Sequence, residues 1–282
     1  MLVTLFHVAG VCSLFGTPIS LSSLKLTYRS AMAASVRIAI VGDVHDDWNL
    51  QEDTKALQLL QSDLVLFTGD FGNENVEVVR SIAELKVAKA VILGNHDAWS
   101  TQQFAERRKD RVQLQLECNI LSGLGSYVND ICGRDWVFGG GDHGDPDLAR
   151  AISQLKETTK LSIPLVVFGH MHKELAYGNG LRKMIVVGAD NTIYLNGAIV
   201  PRIKRLVADE QATNSKTLMN NETSVSTPNA IGTVRAFTLV EISDGKLKKI
   251  AEAWVSVVGD KTALEEEHIL YSRGPGGTEI SV

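Results

Sequence analysis

The sequence predicts an α/β fold, a layered β-sandwich flanked by helices and assembled from βαβ units, with a closing β-hairpin at the C-terminus. Short apolar runs rich in Val, Ile and Leu indicate strands that are buried on both faces. Four such runs are each followed by glycine, at Val36–Val41, Leu64–Phe67, Ala90–Leu93 and Leu165–Phe168, with Thr68 intervening in the second case. Helical patterns at Glu52–Gln61 and Val76–Leu85 lie between the first three runs, and this alternation favours helices packed on a sheet.

The second half of the chain adds strands in closer succession. Met184–Val187 and Thr192–Leu195 are two further apolar runs, separated by a few residues. Arg235–Ile242 and Leu247–Val257 flank a turn that contains the dipeptide Asp-Gly. Asp-Gly between two such runs is the strongest short-range signal for a β-hairpin. These two strands therefore form the predicted closing hairpin.

Changes in composition divide the chain into five parts. Residues 36–205 carry the strand and helix patterns and form the predicted core, which the hairpin at 233–258 completes. Residues 206–232 are rich in Asn, Thr and Ser and predict a polar flexible loop, because such a segment buries little apolar surface. Residues 259–282 contain an acidic run and then Gly-Pro-Gly-Gly, which predicts a flexible tail.

The remaining part, residues 1–35, has the composition of a targeting segment. The first 42 residues contain no Asp or Glu and are rich in Ser and Thr, as is typical of an organelle transit peptide. We therefore predict a chloroplast location, with the mitochondrion or the cytoplasm as the alternative. A secretory signal competes because residues 1–15 are apolar, although no positive residue precedes them. An arbitrary extension is the other alternative.

The overall composition excludes several classes of protein. Of the 282 residues 44% are hydrophobic, which is typical of a globular protein and too high for a disordered one. The chain has no run of about 18 apolar residues, the least that predicts a membrane-spanning helix. A net charge of −5 without a basic stripe gives little support for nucleic-acid binding. Three cysteines without CxxC spacing indicate a reducing compartment.

Polar clusters follow the carboxyl ends of these four predicted strands. Ligands of open α/β sheets bind outside the carboxyl ends of the strands, so the four clusters are expected to face one crevice. The clusters are Gly42-Asp43-Val44-His45, Thr68-Gly69-Asp70, Gly94-Asn95-His96-Asp97 and Gly169-His170-Met171-His172.

The side chains of these clusters form a set of metal donors. Asp43 and His45, two residues apart, point the same way if the strand continues, and the same holds for His170 and His172. With Asp70 and Asn95 they give oxygen and nitrogen donors without a thiolate, which suits Mn, Fe, Zn, Co or Ni. Two metals about 3.5–4 Å apart would hold the attacking and leaving oxygens of a displacement at phosphorus. Asp70 is the candidate for the carboxylate that bridges them.

The four blocks, in this order, resemble the calcineurin-like metallophosphoesterase superfamily. The resemblance covers about Val36 to Arg205. Two further segments, from Cys132 to Trp136 and from Gly140 to Leu148, resemble the branch found in plants and cyanobacteria.

The resemblance implies a fold, a reaction and a role for each residue. Two divalent or trivalent ions (Mn, Fe or Zn) would support hydrolysis of a phosphate mono- or diester by a metal-bridging hydroxide. Asp43, His45 and His172 would bind the first ion, Asp70 would bridge, and Asn95 and His170 would bind the second. His96, oriented by Asp43, would protonate the leaving alkoxide or stabilise charge on phosphorus. Asp43 and His96 are thus the residues with catalytic roles.

The sequence departs from the superfamily pattern at one ligand. The superfamily has one more histidine between the third and fourth blocks, where this chain has only His143, in a glycine-rich stretch. We infer that at least one βαβ unit of roughly 30 residues is absent near Gln113 to Gly125, through a splice variant or an inaccurate gene model. His143 is considered as a substitute ligand, with a role on the substrate side of the cleft or in a structural hydrogen bond favoured instead.

Three functions remain open at this point. The leading one is the metal-dependent phosphoesterase. The second is a catalytically impaired or inactive protein that keeps the phosphoesterase fold as a binding or scaffold module, which the missing ligand favours. The third is a one-metal or structural metal site, which leaves Asn95 and His96 without an evident use. A phosphate ester is the predicted substrate, with neither a membrane nor a nucleic acid as partner.

Overall fold

The computed structural model describes residues 4–5, 35–98, 124–144, 146–159, 162–208, 216–220, 230–274 and 277–280. Thirteen strands form two sheets, and three α-helices lie outside them within this part of the chain. The α-helices are α1 (Leu50–Leu59), α2 (Val76–Glu84) and α3 (Pro146–Thr159). Single 3₁₀ turns occur at His96–Ala98 and Ala176–Gly178.

The larger sheet has nine strands and joins a parallel half to an antiparallel half. The main path runs β13-β12-β11-β10-β2-β3-β4, with β8 pairing β10 and β9 pairing β8. The strands are β2 (Ser35–Val41), β3 (Leu64–Phe67), β4 (Ala88–Val91), β8 (Ile203–Ala208), β9 (Lys216–Asn220), β10 (Ala230–Ser243), β11 (Lys246–Val258), β12 (Lys261–Gly274) and β13 (Gly277–Ile280). Strands β2, β3 and β4 are parallel, so their carboxyl ends share one edge.

The smaller sheet has four strands in the order β1-β5-β7-β6. They are β1 (Thr4–Leu5), β5 (Leu165–Phe168), β6 (Ile185–Val187) and β7 (Ile193–Asn196). Strands β5 and β7 are parallel, whereas β1 and β6 pair antiparallel to them.

Alternate side chains of the strands build a four-layer sandwich. Ile38 and Ile40 of β2 pack with Leu165 and Val167 of β5 in the core between the two sheets. The intervening side chains of β2 pack with α1 and α2 on the other face. On the outer face of the smaller sheet, Ile152 of α3 packs on β5 and β7. The order helix, sheet, sheet, helix confirms the predicted layered α/β fold, and the β10–β11 hairpin is present.

A buried ion network fixes α1 and the loop after β2. Asp53, fully buried on α1, accepts from the guanidinium groups of Arg202 and Arg235, each at 2.7 Å. Arg202 also donates to the backbone carbonyl of Asp47. Because a buried charge is retained only when it is paired and hydrogen-bonded, this network holds the loop that follows β2 in one position.

Two predicted flexible segments contain strands. Within the expected polar loop at 206–232, β9 pairs antiparallel with β8, and β10 begins at Ala230. The prediction of a flexible tail at 259–282 is wrong, because β12 pairs with β11 over ten residue pairs and β13 pairs with β12. The acidic run of the tail lies on an exposed face of β12, where Glu267 contacts Lys249 at 2.7 Å. The predicted hairpin is therefore the centre of a longer antiparallel meander.

Two predictions concern residues that the structure mostly does not describe. The predicted transit peptide, apart from β1 and Ser35, and the predicted deletion point at 113–123 lie outside the described residues. Among the helices that the structure describes, none combines the length and the apolar composition needed to cross a membrane.

Candidate metal centre

The four polar blocks meet at one edge of the sandwich. The blocks after β2, β3 and β4 share the carboxyl edge of the larger sheet, and β5 delivers the fourth block from the smaller sheet. The two sheets are joined there by a hydrogen bond, since the backbone N–H of His170 donates to Asp43 Oδ1 at 2.8 Å. The predicted crevice is thus formed between strands of both sheets.

One group of convergent donors consists of Asp43, His45 and His172. One donor atom from each lies within 4.8 Å of the other two. The Nε2 atoms of the two histidines are 3.0 Å apart, and His172 Nε2 is 3.4 Å from Asp43 Oδ2. Asp43 is 1% exposed, and apart from this long ion pair with His172 its Oδ2 has no hydrogen-bond partner among the described residues. A buried carboxylate oxygen that is so weakly paired is costly, so these residues fit a bound cation.

A second group of donors consists of His45, Asp70 and His96, whose donor atoms also lie within 4.8 Å of one another. Asp70 is buried, and its Oδ1 accepts a hydrogen bond from the backbone N–H of His96 at 2.8 Å. Its Oδ2 lies 3.9 Å from His170 Nδ1. Asp70 therefore lies between the first group and His170, where a bridging carboxylate is predicted.

Backbone conformation turns these side chains into the crevice. Asp43, His45, Asp70 and His170 have φ between 44° and 78°, a region that non-glycine residues rarely adopt. Such strain clusters at functional sites and persists only where the surrounding structure fixes it. Gly94 fits closely against one of these residues, since a Cβ there would lie 2.1 Å from Asp70 Oδ1. Only glycine can bring the turn after β4 this close to the carboxylate.

Asp97 holds two of the turns together. Its Oδ2 accepts from the backbone N–H groups of Asp70 and Gly94, and its Oδ1 accepts from Phe71, all at 2.8 Å. Asp97 belongs to the third block, and no role is predicted for it from the sequence. Its place directly after Asn95 and His96 is the sequence signal that points to it.

His96 lies beside the donors with its ring held by Asn73. His96 Nδ1 is 2.7 Å from Asn73 Oδ1, and the ring lies edge-on to His45 with centroids 4.9 Å apart. The resemblance predicted Asp43 as the orienting residue, whereas this contact comes from the turn after β3, and Asn73 was not selected from the sequence. Asn95 is half-buried at the start of the same 3₁₀ turn.

His143 and Trp136 lie against the side of the centre that contains His170. The ring of His143 stacks on that of His170, with centroids 5.6 Å apart and planes at 22°. Trp136 lies edge-on to His143 at 5.1 Å and to His170 at 6.5 Å. Neither donor group found among the described residues includes His143. Its use as a substitute ligand therefore stays a prediction without support from these groups, and its contact with His170 agrees with a place beside the ligands.

Comparison with known proteins follows the same blocks. A family model described as the calcineurin-like phosphoesterase superfamily domain matches residues 36–196, which contain all four. The chain belongs to this superfamily. At the level of the superfamily it is a hydrolase-type domain for phosphate esters, and such domains typically bind divalent metals. No curated protein shows significant similarity to the chain.

Solved structures similar to this phosphoesterase domain share few residues with it. A conserved uncharacterized protein from Streptococcus pneumoniae, described as a predicted phosphoesterase, is 13% identical with a TM-score of 0.32, covering 85% of this chain and 99% of its own. GAP50, described as the anchor in the inner membrane complex of Plasmodium, is 11% identical with a TM-score of 0.39, covering 85% and 90%.

Burial and neighbouring groups shift the pKa values of three candidate ligands. Burial lowers the pKa of His45, although the Asp43 carboxylate opposes the shift. Burial alone would raise the pKa of Asp70, but contacts with His170 and the backbone N–H of His96 outweigh it and lower the pKa. For His172, burial acts to lower the pKa, and the nearby Asp43 carboxylate outweighs it and raises the pKa. Imidazoles bind a metal only in their neutral form, so the affinity of this group for a cation would depend on pH.

Proposed function

We propose that the chain is a metal-dependent phosphoesterase that hydrolyses a phosphate mono- or diester at a dinuclear centre. The observation that carries this proposal is the convergence of Asp43, His45 and His172 around a buried carboxylate oxygen that lacks a hydrogen-bond partner among the described residues. Membership of the superfamily supports the same reaction class.

The residues divide between two ions, with Mn, Fe or Zn as the candidates. Asp43, His45 and His172 would hold the first, and His170 and Asn95 would hold the second, with Asp70 shared between them. Ions of this kind supply a Lewis acid for the phosphoryl oxygens and acidify a bound water. The absence of a thiolate from the set agrees with these metals.

His96 is the proposed proton donor to the leaving alkoxide. Its Nδ1 is engaged by Asn73 Oδ1 at 2.7 Å, so Nε2 is the atom that would be directed at a leaving oxygen. General acids act within hydrogen-bond distance of the oxygen that they protonate. The backbone N–H of His96 is bound to Asp70, which fixes the ring relative to the proposed bridging carboxylate.

The test combines elemental analysis with hydrolysis of model mono- and diesters in the presence of Mn²⁺, Fe²⁺ or Zn²⁺. Asp70→Asn keeps the shape of the side chain and removes its charge. Asp244→Asn is the matched control, because Asp244 lies in the exposed β10–β11 turn at φ 52°, a conformation that Asn tolerates. We expect Asp70→Asn to lose metal and at least a hundredfold in turnover, with the control unchanged.

The missing histidine supports a second function, a catalytically impaired or inactive protein that binds through the phosphoesterase fold. The loss of one ligand weakens metal binding even where the other ligands of the site are intact. A wild-type protein that holds metal but turns over no faster than Asp70→Asn would favour this alternative over the enzyme.

We also propose that an internal segment is absent, that the chain belongs to the plant and cyanobacterial branch, and that its N-terminus directs it to the chloroplast. If a longer form exists, mass spectrometry of the native protein would find peptides from a segment inserted near residues 113–125. N-terminal sequencing of the mature native protein would find a start near residue 36 if a transit peptide is removed. A start at Met1 would contradict the chloroplast proposal.

The net charge of −5 supports a substrate other than nucleic acid.

A further inference from the structure

A short closed loop, Gly133 to Asp142, lies beside the metal centre and is called the Trp136 loop. Its base is an antiparallel bridge between Gly133 and Asp142, and Arg134 N donates to the carbonyl of Gly141 at 2.8 Å. The Arg134 guanidinium also donates to the carbonyl of Asp142 at 3.0 Å. These contacts close the loop, so its tip is presented in one place.

A buried arginine fixes the Trp136 loop to the smaller sheet's side of the centre. The Arg182 side chain is 1% exposed and pairs with Asp135 at 3.0 Å, inside the loop. It also donates to the carbonyl of Gly133, and Asp135 accepts from the backbone N–H of Ala176 at 2.6 Å. Because charged hydrogen bonds of this kind are strong, they hold the part of the loop before Trp136 against Arg182 and the turn at Ala176.

The loop exposes the ring of Trp136 next to a candidate ligand. Trp136 is 46% exposed, although its ring contacts those of His143 and His170. Ligand sites combine aromatic side chains with a small number of placed polar groups. The Trp136 ring lies edge-on to His170 at 6.5 Å, so its exposed surface borders the place where a phosphoryl group would bind.

We propose that Trp136 determines specificity by stacking on a planar aromatic leaving group of the phosphate ester, an aryl or nucleoside group. The inference rests on the proposed function, because it places the phosphoryl group at the metal centre. An aromatic leaving group fits this position better than a protein or membrane surface does, since the Trp136 ring is 6.5 Å from that of the candidate ligand His170. In an aryl ester the ester oxygen joins phosphorus directly to the ring that Trp136 would contact, and in a nucleoside ester the sugar lies between that oxygen and the base.

The test measures binding and does not require turnover. Titration calorimetry on metal-loaded protein compares phenylphosphonate with methylphosphonate, and cyclohexylphosphonate separates stacking from simple apolar contact. Aromatic pairs contribute enough to give roughly a three- to tenfold preference. We expect phenylphosphonate to bind three- to tenfold tighter than the other two. Trp136→Ala should reduce the preference to less than twofold, and Trp136→Phe should retain part of it.

Phe138→Ala is the matched control, because Phe138 is fully exposed two residues away on the same loop. It should keep the phenyl preference and the metal content of the wild type. Equal binding of the three phosphonates to metal-loaded protein would overturn the inference and leave the phosphoesterase intact. A phenyl preference that survives Trp136→Ala would overturn it too. A protein that takes up no metal would refute the proposed function itself, and the inference with it.

Discussion

Arg182 provides the sharpest test of how the site is supported. The perturbation is Arg182→Met, which keeps the apolar stem of a side chain that is 1% exposed and removes its charge and donors. The guanidinium donates to the backbone carbonyls of His172, Val128, Asp130 and Gly133 and pairs with Asp135. The substitution therefore disconnects a candidate ligand segment and the Trp136 loop at once.

The expected loss of stability follows from what is left behind. The Asp135 side chain is 9% exposed, so Arg182→Met leaves a nearly buried carboxylate without its cation. Breaking one partner of a buried pair costs about 3–5 kcal/mol. That is a large share of the roughly 5–15 kcal/mol by which domains are stable. Equilibrium unfolding in guanidinium chloride should show it as a lower midpoint at an unchanged slope.

A double-mutant cycle and a surface control decide the origin of the loss. Asp135→Asn in the Arg182→Met background removes the unpaired charge and should recover more than about 1 kcal/mol relative to additivity. Arg37→Met is the control, because Arg37 is 40% exposed beside Glu241 at 3.3 Å and such pairs contribute about 0–1 kcal/mol. An Arg182→Met protein that loses less than about 1 kcal/mol, or two changes that simply add, would refute the reasoning.

Three further predictions concern the turns, the pH response and the metal. Gly94→Ala places a Cβ 2.1 Å from Asp70 Oδ1 and should lower metal content in elemental analysis, whereas Gly274→Ala, with open space around it, should not. Contact with Lys156 lowers the pKa of Asp190, so this ion pair should stabilise the protein by at most about 1 kcal/mol above about pH 4. Lys156→Met removes that contribution, and the difference from wild type should vanish as the pH falls through the lowered pKa of Asp190. Melting curves in which Lys156→Met and wild type differ equally at pH 2 and pH 7 would contradict this. Chelation should lower the melting temperature, and saturating metal at 100 times its Kd should restore about 2.7 kcal/mol; identical curves would indicate that no metal binds the native state.

The sequence predicts the residues of the candidate site better than it predicts the outer strands of the larger sheet. Asp43 and Asp70 each follow a buried run and a glycine, and the parallel strands β2 and β3 place these ends along one edge, so local pattern carried spatial information. The β12 strand offered no such signal. Its acidic run faces solvent, and only pairing with β11, a long-range property, makes it a strand.

The supporting residues could not be predicted, because their roles depend on backbone groups that sequence does not display. Asp97 acts through the N–H groups of two turns, and Arg182 acts through carbonyls of a loop some fifty residues earlier in the chain. Neither role produces a periodic sequence pattern of the kind that identifies a strand or a helix. Asn73, which contacts His96, is of the same kind.

Each proposed ligand carboxylate divides its two oxygens between support and metal. Asp43 Oδ1 accepts from His170 N, and Asp70 Oδ1 accepts from His96 N, each at 2.8 Å, while the second oxygen of each lies toward a histidine. Hydrogen bonds between turns thus help to hold both carboxylates in position. A missing histidine should then reduce metal affinity without displacing the other ligands. The active and the impaired forms would differ in the metal concentration at which turnover appears, so a titration of activity against metal distinguishes them more directly than a single assay.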